Sequence, residues 1–278
     1  MWSKFTARFS HSRRLRVTAV VVLVLAVTGP VLYARHFPPL PQASVYLFND
    51  VAPPHRGQRL LVFSPHPDDE TIGVGGYIAA SIRNGASVSI VLVTDGNKHG
   101  LEVRRYSEFS NATALLGVAQ DNLTFLNYPD GGLAKVGAAR LRSSFEPIVN
   151  RVRPEVVLGP HPKDTHPDHA LVGKTLAALC AHKHVLLYQY LVHYPRFPYP
   201  KTRAATLFLL PPVRMVAFES EWRRFLLSPE IERLKQQAVA QYRSQLRVPV
   251  LRNLLFGLLR RNELLAIPES TSPADYSR

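Results

Sequence analysis

From Arg59 onward the chain alternates short β-rich apolar runs with stretches of helical character, and that alternation leaves few folds open. Residues 60–63, 88–94, 123–126, 156–158 and 185–191 read as five strands. Between them, residues 72–84, 103–116, 138–151 and 170–181 read as helices, the first two stopped by Gly85 and Gly117. Strand–helix–strand repetition predicts an α/β fold: a Rossmann-like, mostly parallel sheet with helices on both faces. In such sheets ligands bind beyond the C-terminal ends of the strands.

The chemically loaded segments fall at those ends. Ser64-Pro65-His66-Pro67-Asp68-Asp69-Glu70-Thr71 follows the first strand. Gly159-Pro160-His161-Pro162-Lys163-Asp164-Thr165-His166-Pro167-Asp168-His169 follows the fourth. A single His-Pro-Asp at a helix start is explained by capping and a preset φ. Two copies at equivalent strand ends point to a site. The chain has one cysteine, Cys180, within an apolar run, so an intramolecular disulfide and a cysteine-based zinc site are both excluded. A zinc ion without cysteine wants about three His or carboxylate ligands and an open position for water. His66, Asp69 and His169 can supply that set. Asp68 is then a carboxylate left free to take a proton, and His166 a donor for an oxyanion. Glu70 reads as a helix-terminus charge, and His161 as an outer-shell or loop residue.

At these residues the sequence resembles the PIG-L/LmbE-type deacetylases. Their signatures are a small-residue-His-Pro-Asp-Asp-Glu segment and a later His-Pro-Asp-His, here Ser64 to Glu70 and His166 to His169. The resemblance covers roughly residues 59–245. It implies hydrolysis of an N-acetyl group on an amino-sugar glycolipid or glycan, with Zn2+ as cofactor. It assigns His66, Asp69 and His169 as ligands, Asp68 as general base and later acid, His166 as stabiliser of the intermediate, and Asp168 as a residue orienting a histidine. Weaker matches are Thr94-Asp95-Gly96, Arg105 with Glu108, Asp130 in Tyr128-Pro129-Asp130-Gly131, and the Tyr-x-Ser-Gln at Tyr242. They imply that Arg105, Asp130 and Tyr242 face the substrate. Two other readings stay open: a membrane-tethered glycan-binding module without turnover, and an amidase or esterase acting on a different acylated substrate.

The ends of the chain carry their own expectations. Residues 17–34 form an uncharged apolar run that would span about 27 Å as helix at about 1.5 Å per residue, close to a hydrocarbon core. Lys4, Arg8, Arg13, Arg14 and Arg16 precede it and only Arg35 follows closely. That bias predicts an uncleaved transmembrane anchor in residues 1–35, with the catalytic domain extracytoplasmic; a cleaved signal peptide is the rival. Residues 36–58 read as a proline-rich linker, residues 59–247 as the deacetylase domain, and residues 248–278 as an apolar, arginine-bearing segment with a flexible tail. Residues 248–267 are expected to form a helix, either on a membrane surface or packed on the sheet. The net charge of +14 suits anionic surroundings. No zinc-finger spacing or RNA-binding aromatic motif accompanies it, so nucleic acid is not an expected partner.

Overall fold

The computed structural model of the chain describes residues 15–29, 32, 39–97, 100–218 and 221–268. Residues 15–29 are helical (α1). Among the described residues no helix is long and apolar enough to cross a membrane. The expected transmembrane anchor is therefore corrected, and with it the membrane attachment and the extracytoplasmic placement that rested on it. The basic residues Lys4, Arg8, Arg13 and Arg14 lie outside the described residues, as do Ala34, Arg35 and the tail after residue 268.

A separate compact unit begins at Leu40. Its strands are β1 (Asn49–Asp50), β2 (Arg59–Ser64), β3 (Ser87–Thr94), β4 (Leu123–Tyr128), β5 (Val156–Pro160), β6 (Leu186–Tyr190), β7 (Glu221–Leu226) and β8 (Asn262–Ile267). Its helices are α2 (Asp69–Arg83), α3 (Glu102–Leu115), α4 (Leu133–Val136), α5 (Ala138–Val152), α6 (Pro167–Lys183), α7 (Val213–Phe218), α8 (Pro229–Val239), α9 (Arg243–Leu246) and α10 (Pro249–Gly257). The strands form one sheet in the order β1-β7-β8-β6-β5-β2-β3-β4. Strands β4, β3, β2, β5 and β6 are mutually parallel. The chain winds outward from β2 to β4, then returns to β5 on the other side of β2. The crevice between the C-terminal ends of β2 and β5 is thus the topological switch point, where such sheets bind ligands.

Both sheet faces are covered, and β2 shows why its sequence has no polar alternation. Leu60 and Val62 join one core with Tyr77 of α2, Phe109 of α3 and Val239 of α8. Leu61 and Phe63 join a second with Phe145 of α5 and Leu176 of α6. Helix α6 starts at the His166 cap, whose ring accepts from Asp168 N, with Pro167 in its first turn; this is an ordinary N-terminus built from site residues.

The segments on either side of the parallel core differ from the expectation. Residues 36–58 hold a short 3-10 helix (Gln42–Leu47) and the edge strand β1, which pairs in parallel with β7. Residues 248–267 hold both helix α10 and strand β8. Strand β8 is fully buried and antiparallel to both neighbours, β6 and β7. The sheet therefore extends past the expected boundary at residue 247. Buried Glu263 on β8 explains a feature of α2. That helix is interrupted at Val74 (φ −142°, ψ 19°). Beyond the break, the amides of Gly76 and Tyr77 donate to the Glu263 carboxylate at 2.7 and 2.8 Å, and Lys235 Nζ of α8 lies 2.6 Å from it. A Cβ at position 76 would lie 2.4 Å from Leu227 Cδ2 and 3.1 Å from Glu263 Oε1, so a larger residue there would push on both.

Candidate metal and catalytic site

The loops after β2 and β5 bring His66, Asp69 and His169 together. His66 Nδ1 lies 3.2 Å from Asp69 Oδ2 and 3.1 Å from His169 Nε2. His169 Nε2 lies 3.0 Å from Asp69 Oδ2. Three donor atoms at such mutual distances, all buried, approximate one face of a tetrahedron. For ligands about 2.05 Å from a zinc ion the tetrahedral edge is about 3.3 Å. Two ring nitrogens and a carboxylate oxygen converging on one point need a cation or shared protons between them. The donor set thus fits a divalent metal.

Each histidine of the trio has a carboxylate on its far side, an arrangement that would fix the nitrogen turned toward a metal. His66 Nε2 lies 3.2 Å from Asp168 Oδ2 and 3.4 Å from Asp130 Oδ1. Asp168 is itself fixed by the amides of Gly131 and Leu133. His169 Nδ1 lies 3.3 Å from Asp164 Oδ2. Asp164 also accepts the amides of Val192, His193 and His166, so one buried carboxylate locks three segments of the site.

Other histidines nearby could in principle join as ligands: His166 with His66 and His169, or His193 with Asp69 and His169. The hydrogen bonding separates the roles. His166 Nδ1 accepts from Asp168 N at 3.3 Å. In the neutral ring that leaves the proton on Nε2, so His166 is arranged to donate rather than to ligate. Burial and the neighbouring His66 and His169 hold its pKa below the ordinary value. For His66, burial opposes the charged ring, but hydrogen bonds to Asp168 and Asp69 outweigh it and raise its pKa to about 9. For His169 the same opposition of burial by Asp69 and Asp164 gives about 10. Without a metal, the carboxylates of Asp69, Asp164 and Asp168 favour protonated rings at His66 and His169.

Asp68 stands beside the ligands without joining them. Its backbone has φ 134°, an uncommon conformation for a residue with a side chain. Burial, set against Arg105 and reinforced by Asp69 and Glu70, raises its pKa to about 8. Arg105 Nη2 is 3.5 Å from Asp68 Oδ2 and donates to Pro67 O at 2.8 Å, while Nη1 donates to Asp130 Oδ2 at 3.1 Å. A close approach makes this bridge possible. Gly96 (φ 59°) brings the loop after β3 so near that a Cβ would meet Pro67 Cγ at 2.9 Å and Arg105 Cδ at 3.2 Å.

These groups line a cavity of about 210 Å³ that includes His66, Asp68, Asp69, Arg105, Asp130, His166, His193 and Gln245, closed on one side by Ile72, Leu251, Leu254 and Leu255. Tyr242 is not among the lining residues. It is fully buried, and its hydroxyl bonds to Glu70 and Thr71. Glu70 in turn is no surface charge at a helix end. It is fully buried and accepts from Ser64 and Thr71 as well, tying β2, α2 and Tyr242 together. Glu108 does not pair with Arg105 either; it accepts from Ser244 N and Oγ. His161 lies outside the cluster, stacked on Trp222. The sequence reading missed Asp164, which looked like one more loop aspartate, and His193, which had no motif around it. The one signal for Asp164 was its place two residues before His166.

Fold and site together define an α/β protein with a His-Asp-His donor set at the switch point of its sheet. A family model described as PIG-L, GlcNAc-PI de-N-acetylase, matches residues 61–180. The diacetylchitobiose deacetylase of Thermococcus kodakarensis is 32% identical over 138 residues, covering 45% of this chain and 48% of that protein. An uncharacterized deacetylase of Escherichia coli, YaiS, is 30% identical over 128 residues, covering 44% of this chain and 67% of that one. The chain spans about half the length of the first of these. In fold it resembles N,N'-diacetylchitobiose deacetylase from Pyrococcus horikoshii, with a TM-score of 0.57 at 22% identity, over 77% of this chain and 84% of that one. The chain belongs to the PIG-L/LmbE N-acetylglucosaminyl deacetylase family.

Proposed function

We propose that this protein is a zinc-dependent N-deacetylase that removes an acetyl group from an amino-sugar-containing glycolipid or glycan. The observation that carries the reading is the trio of His66, Asp69 and His169 at mutual distances of 3.0–3.2 Å, with Asp68 and His166 lining the same cavity as His66 and Asp69. Zinc held by the trio would supply a Lewis acid that polarises an amide carbonyl and lowers the pKa of water toward about 7.

The chain's own residues do the rest. Asp68 accepts a proton from the attacking water as the C–O bond forms. The Nε2–H of His166 donates to the oxygen that gains charge. Asp68 then delivers its proton to the nitrogen as the C–N bond breaks, releasing acetate and a free amine. Asp168 keeps His66 in the tautomer that offers Nδ1, and Asp164 does the same for His169 Nε2. Arg105 and Asp130, joined to each other at the cavity wall, are the sugar-facing pair. The buried position of Tyr242 supports a structural role for it through Glu70.

Acetate release from N-acetylglucosaminyl substrates tests the reading. Turnover should disappear with a chelator and return with added zinc. Turnover that persists in metal-free protein would overturn it.

A further inference from the structure

The cavity has two unlike sides. One is the charged cluster of the loops after β2, β3, β4, β5 and β6. The other is apolar and comes largely from α10: Leu251, Leu254 and Leu255, with Ile72 of α2 beside them. Residues 251 and 255, and residues 250 and 254, are each one helical turn apart and so adjacent on the helix surface. Exposure runs from 77% at Val250, through half-buried Leu251 and Leu254, to 1% at Leu255. The helix thus lays an apolar track from solvent to the catalytic groups. Its polar residues Arg252 and Asn253 are exposed and are not among the cavity's lining residues. An amino sugar and an acetyl group alone do not need such a wall. Its α10 residues lie outside residues 61–180, the segment that the family model matches.

We propose that Leu251 and Leu254 are specificity-determining residues that receive an alkyl chain on the substrate next to the scissile amide; this rests on the deacylase reading above. The alkyl chain has two chemical sources. It is either an N-acyl group longer than acetyl or an alkyl aglycone on the sugar.

The test uses the full chain loaded with zinc and two substrate series. One is glucosamine carrying N-acetyl, N-butyryl or N-hexanoyl groups. The other is the methyl, butyl and hexyl glycosides of N-acetylglucosamine. A methylene group fully buried in an apolar site improves binding roughly fourfold. With partial burial, kcat/KM should rise at least about tenfold along one series, and that series names the source. The long-to-short ratio should fall toward one in Leu251→Thr and in Leu254→Thr, made separately, with circular dichroism confirming the fold. A wild-type protein that hydrolyses the short substrates yet shows flat ratios in both series overturns the proposal and leaves the deacetylase reading standing. So does a gradient that both folded variants retain. Should nothing be hydrolysed, the deacetylase reading fails, and calorimetric titration decides the wall by itself. At least about tenfold tighter binding of a hexyl or N-hexanoyl ligand than of its short counterpart, lost in the variants, upholds it; equal binding overturns it.

Discussion

Asp68 combines an unusual backbone, burial and freedom from the ligand set, and that combination makes it the sharpest single test of the site. Asparagine has the shape of aspartate, so Asp68→Asn alters chemistry more than fold at this φ of 134°. The variant should keep its metal and lose kcat by roughly 100-fold or more, the usual scale for a general base; metal analysis beside steady-state kinetics checks both. Near-normal turnover would move the base elsewhere. Asp164 tests the support behind the ligands. Its carboxylate accepts three amides and faces His169 Nδ1, and an asparagine amide offers one oxygen where the carboxylate offers two. Asp164→Asn should weaken zinc binding about 10- to 100-fold, measured by competition with a chromogenic chelator. Unchanged affinity would mean that Asp164 serves the loop alone. At this scale the sequence was legible where chemistry and motif coincide. His66, Asp69 and His169 lie in two short strand-to-helix segments whose residue types already suit a metal. Asp164 was hidden because aspartate before a helix usually caps it, and Glu70 was misread for the same reason, since acidic residues in a first helical turn are normally solvated.

The elements of the parallel core were readable because each is a short apolar run between turn signals, buried on both faces. Strands β7 and β8 were not. In Glu221–Leu226 the arginines at 223 and 224 interrupt alternation, and β1 is only two residues long. Strand β8 follows an apolar helix with no glycine or proline between Leu258 and Ile267, so the whole stretch read as one helix. Its glutamate argued against a central strand, yet Glu263 is what the interrupted helix α2 needs. The amides of Gly76 and Tyr77 find their acceptor there, and Lys235 balances the charge. Glu263→Gln should therefore destabilise the protein by about 3–5 kcal/mol, because it strands a buried lysine. The double variant Glu263→Gln/Lys235→Met should recover part of that loss. Chemical denaturation of the three proteins measures it, and additive losses would remove the ion pair from the account.

At the scale of the molecule, the proposed ligands His66 and His169 are 103 residues apart in sequence and are brought together by the pairing of β2 with β5. A metal that binds the folded chain alone adds stability by mass action, about 2.7 kcal/mol at a free concentration 100 times its Kd. For a chain of this size that is several degrees of melting temperature. Chelation should lower the melting temperature by that amount and zinc should restore it; a melting temperature indifferent to both would mean no metal is held. Strand β8 carries a further consequence. It lies between β6 and β7, so it is the keystone through which β7 and β1 join the parallel core. On the ribosome, domains form from the N-terminal side as residues emerge. The five parallel strands and both ligand loops are available well before residue 262. Until Asn262–Ile267 arrives, however, β7 and β1 have no sheet to join, and the amides beyond the break in α2, the helix that begins at Asp69, have no acceptor. A nascent chain paused before that strand would hold every proposed metal ligand and still lack the brace behind the helix that presents one of them.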